Sequence, residues 1–151
     1  MGPVPGAGRP GTHAHPEQSE RFTILGGVLR LRVRGRAVLL SAGETLTVPA
    51  GTVHSFANPG SVPAHVAVET RPALRTQALL ETAAAMARAR HAAGRPLPWP
   101  ADLVLFMREF ERELRAPYLP PPLVRPVIRG LARLASACGR DERYRRVRGA
   151  G

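Results

Sequence analysis

Lysine is missing from this 151-residue chain: all 22 of its basic residues are arginine, set against 11 acidic ones for a net charge of +11. With 16 prolines and 15 glycines, that usage reads as the base-composition habit of a GC-rich genome rather than a binding code. Cysteine is limited to Cys138, which excludes an intrachain disulfide and a disulfide-stapled scaffold. Aromatic residues are only 5%. They do not interleave with the arginines, which are spread beside glutamates, so the positive charge argues poorly for a nucleic-acid surface. No apolar run approaches the roughly 20 residues that span a bilayer. The stretch from Met1 to Pro10 lacks the charged-then-apolar order of a signal peptide. The expected setting is cytoplasmic, with no membrane association. What remains is a chain that is 44% apolar, enough for a real core.

The two halves differ in texture. Residues 1–72 carry short alternating runs split by glycine and proline, and they read as a β domain. Leu29, Leu31 and Val33 alternate with Arg30, Arg32 and Arg34, the pattern of a half-buried strand. Gly35 turns the chain into the 37–40 run. Further strands are expected at 45–48, 53–57 and 65–70. Short strands at this spacing suggest an antiparallel sandwich or barrel.

Residues 73–151 are rich in alanine, leucine and arginine and read as a helical extension. One helix is expected from Leu74 to about His91, and a second from Pro100 or Ala101 to Arg115. The second should bury Leu103, Phe106, Met107, Phe110 and Leu114, and expose Arg108, Glu109, Glu111, Arg112 and Glu113. A third is expected from Leu123 to about Cys138, burying Val127, Ile128, Leu131, Leu134 and Ala135. The tail from Arg140 to Arg148 is expected to fray. Cys138 is expected to be buried, Trp99 to pack the linker onto the barrel, and His91 to sit at a helix C-terminus.

Chemistry concentrates in the first half. His13 and His15 are two residues apart, so an extended segment points both to one side. Glu20 heads an alternating face that continues with Phe22 and Ile24, and a carboxylate there is costly to bury without a cation. His54 is the fourth candidate, with Phe56 on the same face. Three imidazoles and one carboxylate would bind a divalent transition metal: iron, manganese, nickel, zinc, cobalt or copper. Glu17, in the turn after Pro16, reads as solvated, Asn58 as a turn residue, and His65 as a plain surface or packed residue.

These residues resemble the cupins, small β-barrels with two short motifs. The first motif is matched by His13-Ala-His15, four residues, Glu20, six residues and Gly27; its opening glycine falls on Ala7, flanked by Gly6 and Gly8. The second is matched by Gly43, five residues, Pro49-Ala-Gly51, two residues, His54, three residues and Asn58. The resemblance implies a cupin-type antiparallel β-barrel or jelly roll followed by about three helices. It implies metal ligation by His13, His15, Glu20 and His54, with Phe22 and Phe56 lining the pocket. Cupins of this sort carry strands ahead of the first motif, and twelve residues precede His13. The barrel is therefore expected to be N-terminally incomplete, or completed by a partner or by upstream residues. Self-association, as a homodimer, follows as an expectation.

The function implied is a metal-dependent enzyme acting on a small molecule, dioxygenase-like or isomerase-like. Two alternatives stand beside it: a non-catalytic module that binds or senses a small ligand, and a metal that only staples the barrel.

Overall fold

The computed structural model describes residues 11–117 and 120–149, and it divides into two compact units, one ending at Ala73 and one beginning at Leu74. The turn expected around Ala7 lies outside the described residues.

The first unit is built of six strands: β1 (Ser19–Gly26), β2 (Val28–Val33), β3 (Arg36–Ser41), β4 (Thr45–Val48), β5 (His54–Ala57) and β6 (His65–Arg71). They form two antiparallel three-stranded sheets, ordered β4-β1-β6 and β3-β2-β5. The alternation read from the sequence decides which faces meet. Phe22 and Ile24 from β1, Leu29 and Leu31 from β2, Leu40 from β3 and Val48 from β4 form one apolar core between the sheets. The expected strands are present, and Arg30 and Arg32 lie on the exposed face of β2.

Gly27 joins β1 to β2, where the Pro63–Ala64 backbone passes close by. Its φ is +75°, and an added Cβ would lie 2.8 Å from the Pro63 carbonyl oxygen and 2.9 Å from Ala64 Cα. Only glycine meets both demands. Gln18, 1% exposed, anchors the other end of the unit by donating to the carbonyls of Pro72 (2.8 Å) and Ala73 (3.0 Å).

The second unit has four helices: α1 (Thr76–Ala92), α2 (Pro100–Glu109), α3 (Pro121–Ala137) and α4 (Asp141–Gly149). Leu79, Met86, Leu105, Phe106, Phe110, Ala132 and Tyr144 make its core. His91 and Arg90 occupy the last turn of α1, where positive charge favours the carbonyl end of the helix.

Several expectations for this half are corrected. The tail is not frayed. Asp141 and Glu142 favour the start of α4, Ser136 Oγ donates to Asp141 at 3.0 Å, and Tyr144 is 6% exposed. Helix α2 stops at Glu109 instead of Arg115 because the next turn is spent elsewhere: Glu113, expected wet, is 3% exposed and accepts the Arg75 backbone N–H at 3.1 Å. Leu103 is exposed, and Leu105 takes the buried position.

On α3 the buried line is Val124, Ile128 and Ala132, while Val127, Leu131 and Leu134 are exposed. The apolar arc of this helix is wider than its contact, so periodicity alone could not choose the flank. Cys138 is exposed rather than buried. Trp99 finds its partners inside the helical unit, with the guanidinium carbons of Arg95 and Arg143 at 3.8 Å and 4.7 Å from its ring centre. No helix among the described residues is long and apolar enough to cross a membrane.

Candidate metal centre

Two chain segments carry the site, and backbone hydrogen bonds hold them together. His13 and His54 exchange both N–H···O bonds, at 3.0 Å and 2.9 Å, and Gly51 N–H donates to the His15 carbonyl at 2.7 Å. Ala14, between the two histidines, is fully buried. Gly51, at φ +73°, makes the turn that delivers His54 onto β5. Glu20 arrives from the other sheet, where it pairs with Val48 on β4 and Thr70 on β6. The site thus draws its groups from both sheets.

One donor atom from each of His13, His15, Glu20 and His54 lies within 4.8 Å of all the others. Bonds of ~2.0–2.2 Å place opposite donors of one ion ~4.0–4.4 Å apart, so a small contraction would close this set. Ring centres are 4.9 Å apart for His13 and His15, 4.5 Å for His13 and His54, and 5.5 Å for His15 and His54. Glu20 is 8% exposed and His54 only 2%. Phe22 packs its ring 6.2 Å from His54 and 5.4 Å from Phe56, an apolar wall on one side of the cluster.

The hydrogen bonds specify tautomers. His54 Nδ1 is 2.9 Å from the Thr52 carbonyl, and His13 Nδ1 is 2.7 Å from the Gly11 carbonyl. A carbonyl only accepts, so both Nδ1 atoms donate, and each neutral ring then keeps its lone pair on Nε2. His54 Nε2 meets Glu20 Oε2 at 2.8 Å. Two acceptors at that distance require a cation between them, either a proton or a metal ion. His15 Nε2 stands 3.3 Å from the other carboxylate oxygen. The donor set therefore fits a transition metal on its own chemistry.

Burial by itself would raise the Glu20 carboxyl, but hydrogen bonds from His15 and His54, together with their charges, outweigh it and hold the group at about 2. Burial lowers His13. The Gly11 carbonyl opposes that shift, and the neighbouring charges of His54 and His15 add to it. An ionised Glu20 and a His13 biased toward its neutral form are two of the protonation states that ligation needs.

Of the other candidate residues, Glu17 and His65 are exposed and lie outside the cluster. Asn58 closes its own turn, accepting from Gly60 N–H at 2.8 Å and donating to the Val62 carbonyl at 2.6 Å. Sequence reading missed the Gly11 and Thr52 carbonyls that orient two rings, since a backbone acceptor leaves no residue-type signal. Each lies two residues before its histidine.

Fold and cluster together define a small two-sheet β-barrel with a three-histidine, one-carboxylate centre. Residues 3–69 match the cupin domain family Cupin_2, and the chain carries a cupin domain. It is 31% identical over 49 residues to mannose-1-phosphate guanylyltransferase ManC of Salmonella typhimurium, covering 32% of this chain and 10% of that protein. The corresponding figures for the Klebsiella pneumoniae mannose-1-phosphate guanylyltransferase are 35% over 52 residues, 34% and 11%. The chain thus spans about a tenth of the length of the curated relatives it matches. Among solved structures, it resembles TT1209 from Thermus thermophilus with a TM-score of 0.40 at 29% identity, over 41% of this chain and 59% of that one. A predicted oxalate decarboxylase from Thermotoga maritima gives 0.41 at 25% identity, over 44% and 58%.

Proposed function

We propose that the cupin unit is a metal-dependent enzyme acting on a small oxygen-bearing molecule, by isomerase-like or dioxygenase-like chemistry. His13, His15, Glu20 and His54 would hold one divalent ion of iron, manganese, nickel, zinc, cobalt or copper. The observation that carries this reading is the 2.8 Å approach of His54 Nε2 to Glu20 Oε2 while Nδ1 is committed to Thr52. With Nδ1 donating to a carbonyl, Nε2 and Oε2 need a proton or a metal ion between them, and the two further histidines beside the pair favour the metal.

A bound ion would act as a Lewis acid on a substrate oxygen or, for a redox-active metal, as an electron partner. The chain's own residues do the rest. Thr52 and Gly11 carbonyls orient two of the rings. Phe22, buried in the core, would back the cluster from behind, and the partly buried Phe56 would be the one to meet the apolar part of a substrate. Glu20 keeps a negative charge in place, which lowers the cost of bringing a divalent cation into a largely buried site.

Elemental analysis of protein purified without added metal tests this reading. About one equivalent of a transition metal per chain is expected, lost in Glu20→Ala and His54→Ala. Less than a tenth of an equivalent after reconstitution with each of the six metals would overturn it. Binding of nitric oxide to the iron- or cobalt-loaded protein separates an exchangeable, catalytic centre from a closed structural one.

A further inference from the structure

Glu20 on β1 pairs directly with Val48 of β4 on one side and with Thr70 of β6 on the other. Directly paired residues share a face of the sheet, with Cβ atoms about 4.5–5.5 Å apart. Glu20 turns inward to His54, so Thr70 turns inward beside it. The alternation of β6 then puts Val68 and Val66 on the same inner face, paired with Phe22 and Ile24.

The two flanks of β1 are filled differently. On the β4 side, Val48 is 1% exposed and Leu46 packs into the core. On the β6 side, Phe22 and Ile24 are buried and Val66 packs with them, but Val68 is 45% exposed. An inward valine whose paired phenylalanine is fully buried has open space above it, and its apolar surface forgoes the gain of leaving water. This open face leads along β6 to Thr70, two residues on and level with Glu20. The charge of the cluster sets the sign of a ligand. Three imidazoles that ligate as neutral rings and one carboxylate leave a divalent ion with one net positive charge, which favours an anion.

Resting on the metal reading of this cluster, we propose that the inner face of β6 is its substrate wall and that the substrate is a small carboxylate with an apolar chain. The Thr70 hydroxyl bonds the carboxylate, and Val68 takes the chain. A threonine hydroxyl donates one hydrogen bond and accepts two, so it serves a ligand in addition to its place in the fold.

The full-length protein is loaded with cobalt(II), and its visible absorption is titrated with glycolate and 2-hydroxybutyrate, which share one head and differ in chain length. Each buried methylene is worth about fourfold, so 2-hydroxybutyrate should bind at least about tenfold tighter. Val68→Thr keeps the branched shape and should cut that preference at least about threefold. Thr70→Val should weaken both ligands alike by about tenfold, and Thr70→Ser should restore them. All three variants should hold one cobalt per chain at wild-type affinity. No spectral response to either ligand, equal affinity for the two, a preference untouched by Val68→Thr, or full binding by Thr70→Val would each overturn the proposal and leave the metal reading in place. Failure of the wild-type protein to take up cobalt or any of the other five metals would remove the metal reading, and the proposal with it.

Discussion

His54 Nε2 lies 2.8 Å from Glu20 Oε2, although these residues are 34 positions apart and belong to different sheets. The contact joins the two cupin motifs in one bond. Glu20→Gln keeps the size of the side chain but removes its charge and puts an amide in place of one oxygen. Affinity for the metal should fall by at least about 100-fold, since even supporting groups around metal sites are worth 10–100-fold. Competition with a chromophoric chelator measures this directly.

Acid should release the metal and loosen the metal-free fold. His13 is lowered in the folded protein, so its contribution to stability is complete above the ordinary imidazole value near ~6.5 and declines below it. Glu20 is lowered from 4.5 to about 2; its contribution is complete above 4.5 and is lost as pH falls through 2. Both signs point the same way. Denaturant midpoints of chelator-treated protein should drop on going from pH 7 to pH 5, and again below pH 4.5. A flat profile would remove the electrostatic account of the cluster.

Alkali should act on the helical unit instead. Burial, with a 2.8 Å hydrogen bond to Glu109, pushes the Tyr144 hydroxyl well above the tyrosine range. A raised acid stabilises the fold fully below its ordinary value of 10.0 and loses that contribution as pH rises beyond it. Tyr144→Phe should cost about 1 kcal/mol at neutral pH and flatten the fall in stability above pH 10. Melting curves of the two proteins across that range make the comparison.

Two glycines with similar backbone angles should respond differently to alanine. Gly51 (φ +73°) faces open space, whereas a Cβ on Gly27 (φ +75°) would strike the backbone at Pro63 and Ala64. Gly51→Ala should cost about 1–2 kcal/mol for the left-handed conformation alone. Gly27→Ala should cost at least about 1 kcal/mol more, from overpacking. Urea unfolding of both variants reads the difference.

Much of the cupin unit was legible because a strand repeats every two residues. Leu29 and Leu31 alternating with Arg30 and Arg32, or Glu20, Phe22 and Ile24 with Arg21 and Thr23, each fix an inward face with little ambiguity. The helices were harder. On α3 the apolar arc takes in Val127, Leu131 and Leu134 as well as Val124, Ile128 and Ala132, and only the second line is buried. The tail looked too charged to fold, yet Tyr144 and Val147 pack into the helical core, and Arg143 and Arg148 pair with Asp102 and Glu109.

Sequence alone determined the kinds of donor in the cluster and their order along the chain, because side-chain chemistry and two-residue periodicity are local properties. Tertiary structure decided how the donors are used. Which ring nitrogen carries the proton depends on the carbonyls of Gly11 and Thr52, and whether Glu20 meets His54 depends on two sheets closing over a shared core. Neither carbonyl direction nor sheet closure is a property of any one residue; both follow from long-range packing.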